Sequence, residues 1–172
     1  MTSALRSGQL QTTATDTGPG FLDGSVTGLD VIDPTENAPQ GELTTLLEVD
    51  DEFDVRLSWE LDGPGTTTVG GYWFVSLYSD DMDGLPTSTM TGLIAGPDPI
   101  QIVGGLSPLK FEHVFKVLPP TPQAGLYQLV ATINHSPTQT PVQFSEMYGF
   151  AESTPVNIQN IPMETAVGAE SA

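Results

Sequence analysis

Nucleophilic catalysis needs a nucleophile with a base beside it, and this chain offers few of either. Its 172 residues include two histidines and no cysteine. His113 keeps phase with Phe111 and Phe115, so it is expected at the edge of a core as a packed, satisfied side chain. His135 falls where an extended run ends in Asn134-His135-Ser136-Pro137, and is expected to be exposed in a turn. Asn134-His135-Ser136 is formally a glycosylation sequon, disfavoured by the following Pro137. Without cysteine there is no thiolate, disulfide or cysteine metal site, and two histidines do not make a zinc cluster. No G-x-S-x-G, P-loop or G-x-G-x-x-G pattern occurs. Gly24-Ser25-Val26-Thr27-Gly28 fails the first because Gly24 and Ser25 are adjacent. Paired carboxylates can hydrolyse glycosides, but among twenty-two acidic residues a pair means nothing without geometry. The expectation is a protein that is not an enzyme and has no cofactor.

A hard cation is the one metal the sequence brings up. Ser79, Asp81, Asp83 and Gly84 match positions 1, 3, 5 and 6 of a calcium loop, which needs closely spaced oxygen ligands and a glycine for its sharp turn. Position 1 is a serine, however, and position 12, where a bidentate glutamate belongs, is Met90. An ordinary acidic hairpin turn explains the same residues. Asp50, Asp51, Glu52 and Asp54 form a weaker second cluster. A sugar platform is the other ligand site to weigh: Tyr72, Trp73, Phe74 and Tyr78 share one stretch, but Trp73 and Phe74 point to opposite faces, and both faces of a central strand are normally buried.

The formal charge is -18, with Arg6, Arg56, Lys110 and Lys116 as the only basic residues. Such a surface repels phosphate backbones and anionic lipid, which argues against nucleic-acid and membrane partners. No run approaches the length of a membrane helix. The first twenty residues contain no apolar h-region, so no signal peptide is expected, although a mature chain could have lost one. The compartment stays open: a cytoplasmic assembly, a virion-like particle and a mature cell-surface protein all fit.

The elements that would position these residues are strands. The 18 glycines and 15 prolines punctuate the chain too often for long helices. Phe53, Val55, Leu57, Trp59 and Leu61 alternate with Asp54, Arg56, Ser58, Glu60 and Asp62, the pattern of a strand with one buried and one wet face. Residues 124–136 repeat the pattern and read as the central strand. Residues 71–78 (GYWFVSLY) are apolar on both faces. Shorter strands are expected at 43–49, 88–94, 100–103, 111–117, 144–150 and 156–161. Residues 1–41 read as a partly flexible N-terminal arm, 42–161 as the domain, and 162–172 as a disordered tail.

Seven or more short strands, with turns every eight to twelve residues, predict an all-β antiparallel sandwich. Gly125-Leu126-Tyr127-Gln128-Leu129 resembles the tyrosine corner of immunoglobulin-like domains. The resemblance places Tyr127 at the entry of strand F, Leu129 where disulfide-bonded domains carry the second cysteine, Leu57 or Trp59 opposite it on strand B, and Trp73 as the buried tryptophan of strand C. It covers residues 42–161 and implies a fold, not a family. A jelly roll shares the strand pattern.

The functional expectation is a non-catalytic structural or protein-interaction module, such as a subunit of a filament, a tail-like or capsid-like particle, or a surface layer. Its partners would be copies of itself or other subunits. An extended arm with spaced apolar side chains at Phe21, Val26, Leu29 and Val31 could add to a neighbour's open sheet edge; alternatively it packs on its own domain as strand A. The competing expectation is a carbohydrate-binding or calcium-dependent adhesion module.

Overall fold

A computed structural model describes residues 7–12, 18–33, 42–43, 46–48, 52–83, 92–117 and 124–159 of the chain. It contains eleven strands: β1 (Gln9–Gln11), β2 (Asp23–Asp33), β3 (Glu42–Leu43), β4 (Leu46–Glu48), β5 (Phe53–Asp62), β6 (Tyr72–Asp81), β7 (Gly92–Gln101), β8 (Leu109–Val117), β9 (Gly125–Ser136), β10 (Tyr148–Glu152) and β11 (Val156–Gln159). They form an immunoglobulin-like β-sandwich. In one layer β5 lies between β2 and β8, antiparallel to both. In the other, β9 lies between β6 on one side and β10 followed by β11 on the other. β7 extends that layer beyond β6, and β4 runs parallel to β11. The strand order is the immunoglobulin one, with A and E flanking B, and C and G flanking F.

Alternation sets the core. Phe53, Val55, Leu57, Trp59 and Leu61 of β5 are all buried, while the intervening residues are only partly so. From the other layer Trp73, Val75 and Leu77 of β6 and Tyr127, Leu129, Ala131 and Ile133 of β9 meet them. Trp59 lies edge-on to Trp73 across the interior, with ring centroids 6.3 Å apart.

Of the two readings of the N-terminal segment, the structure takes strand A of its own domain and not the arm. β2 pairs with β5 along nearly its whole length, and Val31 is buried. The apolar residues at 26, 29 and 31 do not alternate, yet they face one way because a β-bulge between Val26 and Gly28 takes up the extra residue. Val26 and Leu29 then pack on the core, and Phe21 is half-buried where its carbonyl accepts a hydrogen bond from Gly65 N at 2.8 Å. The side chains offered for a neighbour's sheet therefore serve this chain's own, and the sandwich reaches back to residue 23. β1 adds a further tie: it pairs with β2 at Gly24 and Ser25 and with β10 at Tyr148 and Gly149, joining the two layers along one side. Leu10 is buried there, and the close approach is possible because Gly24 and Gly149 have no Cβ to meet it. The two short strands expected at 88–94 and 100–103 are replaced by one strand, β7, whose irregular register against β6 accommodates Gly96 and its prolines.

Among the described residues, no backbone pairing joins the layers on the opposite side. β7 pairs only with β6, and β8 only with β5, among the described strands. Pro97 and Pro99 remove donors from the β7 edge, and Lys110 and Lys116 mark β8, devices that discourage edge-to-edge association. His113 of β8 donates from Nε2 to Asp98 Oδ2 of β7 at 2.8 Å, a side-chain clasp between the layers.

Two predictions follow from these ties. Deleting residues 1–33 removes β1 and β2 and uncovers β5, so the product is expected to be unfolded by circular dichroism. A folded product that has merely stopped assembling would mean that β2 works in trans. The second concerns Asp62 at the end of β5, which accepts hydrogen bonds from Ser107 Oγ and from Gly63 N. These bonds, Ser107 first, hold its carboxyl below the ordinary 3.8. A depressed folded value stabilises the protein fully above the unfolded value, and that contribution is lost as pH falls through the folded one. Ser107→Ala is expected to move the Asp62 titration, followed by carbon NMR, upward toward 3.8 and to remove this part of the acid slope.

Candidate functional site: an uncharged aromatic sheet face

Inward-facing residues of β6 and β9 are spent on the core, which leaves their alternate residues for the outside. Register places these in rows. Pro99, Phe74, Asn134 and Tyr148 form one row across β7, β6, β9 and β10. Ser76, Thr132 and Phe150 form the next, and Leu93, Tyr78, Val130 and Glu152 the third. Phe144, from the loop between β9 and β10, lies edge-on to Phe74 with centroids 6.1 Å apart. Phe144 is 62% exposed, Leu93 51%, Tyr148 39% and Tyr78 38%, whereas Phe74 beneath Phe144 is only 7% exposed. Phe74 belongs to no part of the central core, so this is a second apolar cluster, on the outside.

Charge separates the two outer faces. The other layer presents Asp54, Arg56, Glu60, Lys110, Glu112 and Lys116, and Arg56 is 3.6 Å from Asp30. A shallow depression of 350 Å³ there is lined by the charged Glu60, Lys110 and Glu112 together with Thr27, Ser58, Trp59 and Phe111. The charged side chains around it are ordinary solvated ones. No lysine or arginine occurs in β6, β7, β9, β10 or β11. Among the described residues their outer face carries carboxylates only at its margin: Asp80 beyond Tyr78, Glu152 at the end of β10, and the exposed Glu146 ahead of β10. Surfaces rich in Tyr and Phe and poor in charge at the centre are typical of protein contact sites.

The histidines are committed elsewhere. His113 makes the clasp to Asp98 and meets Phe115 edge-on at 4.7 Å. His135 is buried, not exposed in a turn, because β9 continues through Ser136. Its Nε2–H donates to Gly70 O at 2.7 Å, which leaves Nδ1 to accept from Ser145 Oγ at 2.9 Å. Ser145 and His135 thus make a hydroxyl–imidazole pair that sequence spacing could not reveal. The same Ser145 oxygen accepts from Met147 N at 3.1 Å, and the His135 backbone pairs with both Ser145 and Met147. The pair ties the loop that carries Phe144.

The acidic turn is likewise used locally. Ser79 is buried, with its hydroxyl unpaired. Asp81 Oδ1 accepts from Asp83 N at 2.8 Å, and Asp83 Oδ2 accepts from Leu126 N at 2.8 Å. Asp83 therefore fastens the end of β6 to the start of β9. Gly84 and Met90 lie outside the described residues, as do Asp50 and Asp51 of the second acidic cluster. Among the described residues no three of His, Cys, Asp and Glu stand together as a metal site. Trp73 is fully buried, and Tyr72 is half-buried, so the rings proposed as a sugar platform are split between interior and surface.

No protein-family model matches the chain. No curated protein matches it either. Solved structures do match, among them the CARDB domain of the PF1109 protein from Pyrococcus furiosus, in complex with di-metal ions. That domain is 14% identical, with a TM-score of 0.44, over 84% of this chain and 100% of the other. The likeness is too distant to carry any residue's role from one chain to the other.

Asp83→Ala is expected to lower stability by about 1 kcal/mol, equally in chelator and in calcium, as read from urea midpoints. A loss seen only in calcium would assign the turn to a cation instead.

Proposed function

We propose that this protein is a non-catalytic structural or protein-interaction module that works as one subunit of a larger assembly. The observation that supports it best is the outer face of β7, β6, β9 and β10, where Tyr78, Tyr148, Leu93 and Phe144 stand 38 to 62% exposed around the buried Phe74 and Ser76, in a chain otherwise crowded with carboxylates. Water-exposed apolar surface of this kind is costly to keep unless something covers it. The histidines, which would be the first sites of general-base chemistry, are engaged in ties between strands and loops. The contact surface is this folded face and not a free arm, since residues 23–33 pair with β5.

The test is sedimentation of the tagged chain in a native extract of its source cells. The chain is expected to travel well ahead of its single-chain mass, and the double substitution Leu93→Asp with Phe144→Asp is expected to return it to the light fractions. Both side chains are more than half exposed, so folding is expected to survive. A chain that sediments as a monomer with or without the substitutions would remove the assembly role.

A further inference from the structure

We infer that the partner seated on the β7–β6–β9–β10 face is a different protein, whose contact surface has an apolar centre flanked by lysine and arginine. This rests on the reading of the chain as an interaction module and adds the chemistry of its partner. The rows centred on Phe74, Ser76 and Tyr78 carry no positive charge and a negative one only at their margin. The margin residues Asp80, Glu146 and Glu152 are exposed, and among the described residues no lysine or arginine lies on this layer to neutralise them. Interfaces place apolar anchors at the centre and charges at the rim, and complementary rims steer and orient the encounter.

A second copy of this chain docking by the same face would set acidic margin against acidic margin. The net charge of -18 on each copy would add to that repulsion. The three described basic side chains, Arg56, Lys110 and Lys116, share their surface with Asp30, Asp54, Glu60 and Glu112, so that layer supplies no net positive rim for a front-to-back contact either. Charge complementarity therefore selects a basic-rimmed partner.

At the centre, Phe144 and Leu93 are the anchors. They are the two most exposed apolar side chains of the face. Phe144 is held over Phe74, and its loop is tied through Ser145 to His135, so little ordering cost remains for binding.

The experiment uses the purified full-length chain and two synthetic β-hairpin peptides. Both carry the same Trp and Leu face; one is flanked by Lys and Arg, the other by Asp and Glu. Binding is followed by amide chemical shifts, with the mass measured by light scattering over a dilution series. The expected result is a monomer that binds the basic peptide, with shifts at Tyr78, Val130 and Tyr148. Affinity is expected to fall about tenfold or more in Phe144→Ala and in Leu93→Ala, to stay unchanged in Val114→Ala on the opposite layer, and to weaken with added salt. Equal binding of both peptides, binding of neither, or shifts confined to β5 and β8 would overturn the inference. So would concentration-dependent self-association abolished by Phe144→Ala, which would make a second copy the occupant and leave the module reading intact. That reading fails separately, if the chain sediments as a monomer in the native extract.

Discussion

The edge-on meeting of Trp59 with Trp73 is the contact on which the sandwich depends. Trp59 stacks on Phe111 at 5.4 Å, while Phe111 and His135 each meet Trp73 edge-on, at 5.9 Å and 5.5 Å. The four rings come from β5, β8, β6 and β9, two strands from each layer. Each such ring pair adds about 0.5–1.5 kcal/mol beyond the apolar area it buries. Disulfide-bonded sandwiches of this type join their layers covalently near the same place. Here Leu57 and Leu129 are fully buried, and rings provide the cross-layer cohesion.

Filling the interior from these strands leaves the outer faces free to differ. On β5 the alternate residues are charged or polar and need no cover. On β6 they are Phe74, Ser76 and Tyr78, and nothing in the core requires them to be apolar. The same is true of Val130 on β9 and of Tyr148 and Phe150 on β10. Those residues lie on the far side of the layer from the central cluster, and removing them would not open the core. This separation between what the fold requires and what the surface displays is the physical basis for reading the face as a contact site.

Much of the architecture was legible in the sequence because period-two alternation is a direct image of a strand with two different faces. Residues 53–62 and 125–136 follow it closely, and Tyr127, Leu129, Leu57, Trp59 and Trp73 are all buried, as the immunoglobulin resemblance implies. The pattern failed where the backbone departs from regular pleating. A bulge at Val26–Gly28 turns a 3-then-2 spacing into a single inward row, so the spacing alone left β2 open between a free arm and strand A. The register shifts of β7 made one strand look like two. His135 was misplaced because the strand outlasts the point where Asn and Pro suggest a turn. The exposed face was hidden for another reason: an apolar run such as GYWFVSLY looks the same whether both faces are covered by this chain or one is left for a partner. One signal was available, since no lysine or arginine stands between Arg56 and Lys110, or after Lys116.

β1 gives the molecule the construction of a bound book. Along the spine, backbone hydrogen bonds run without interruption from β2 through β1 to β10. Along the fore-edge, β7 and β8 meet through side chains, with His113 and Asp98 as the clasp. Thermal opening that leaves the spine intact must therefore begin at the fore-edge. Water, dissolved oxygen and small quenchers would then reach the tryptophans by way of β8, past Phe111, once the clasp and the ring contact between Phe111 and Trp73 have parted.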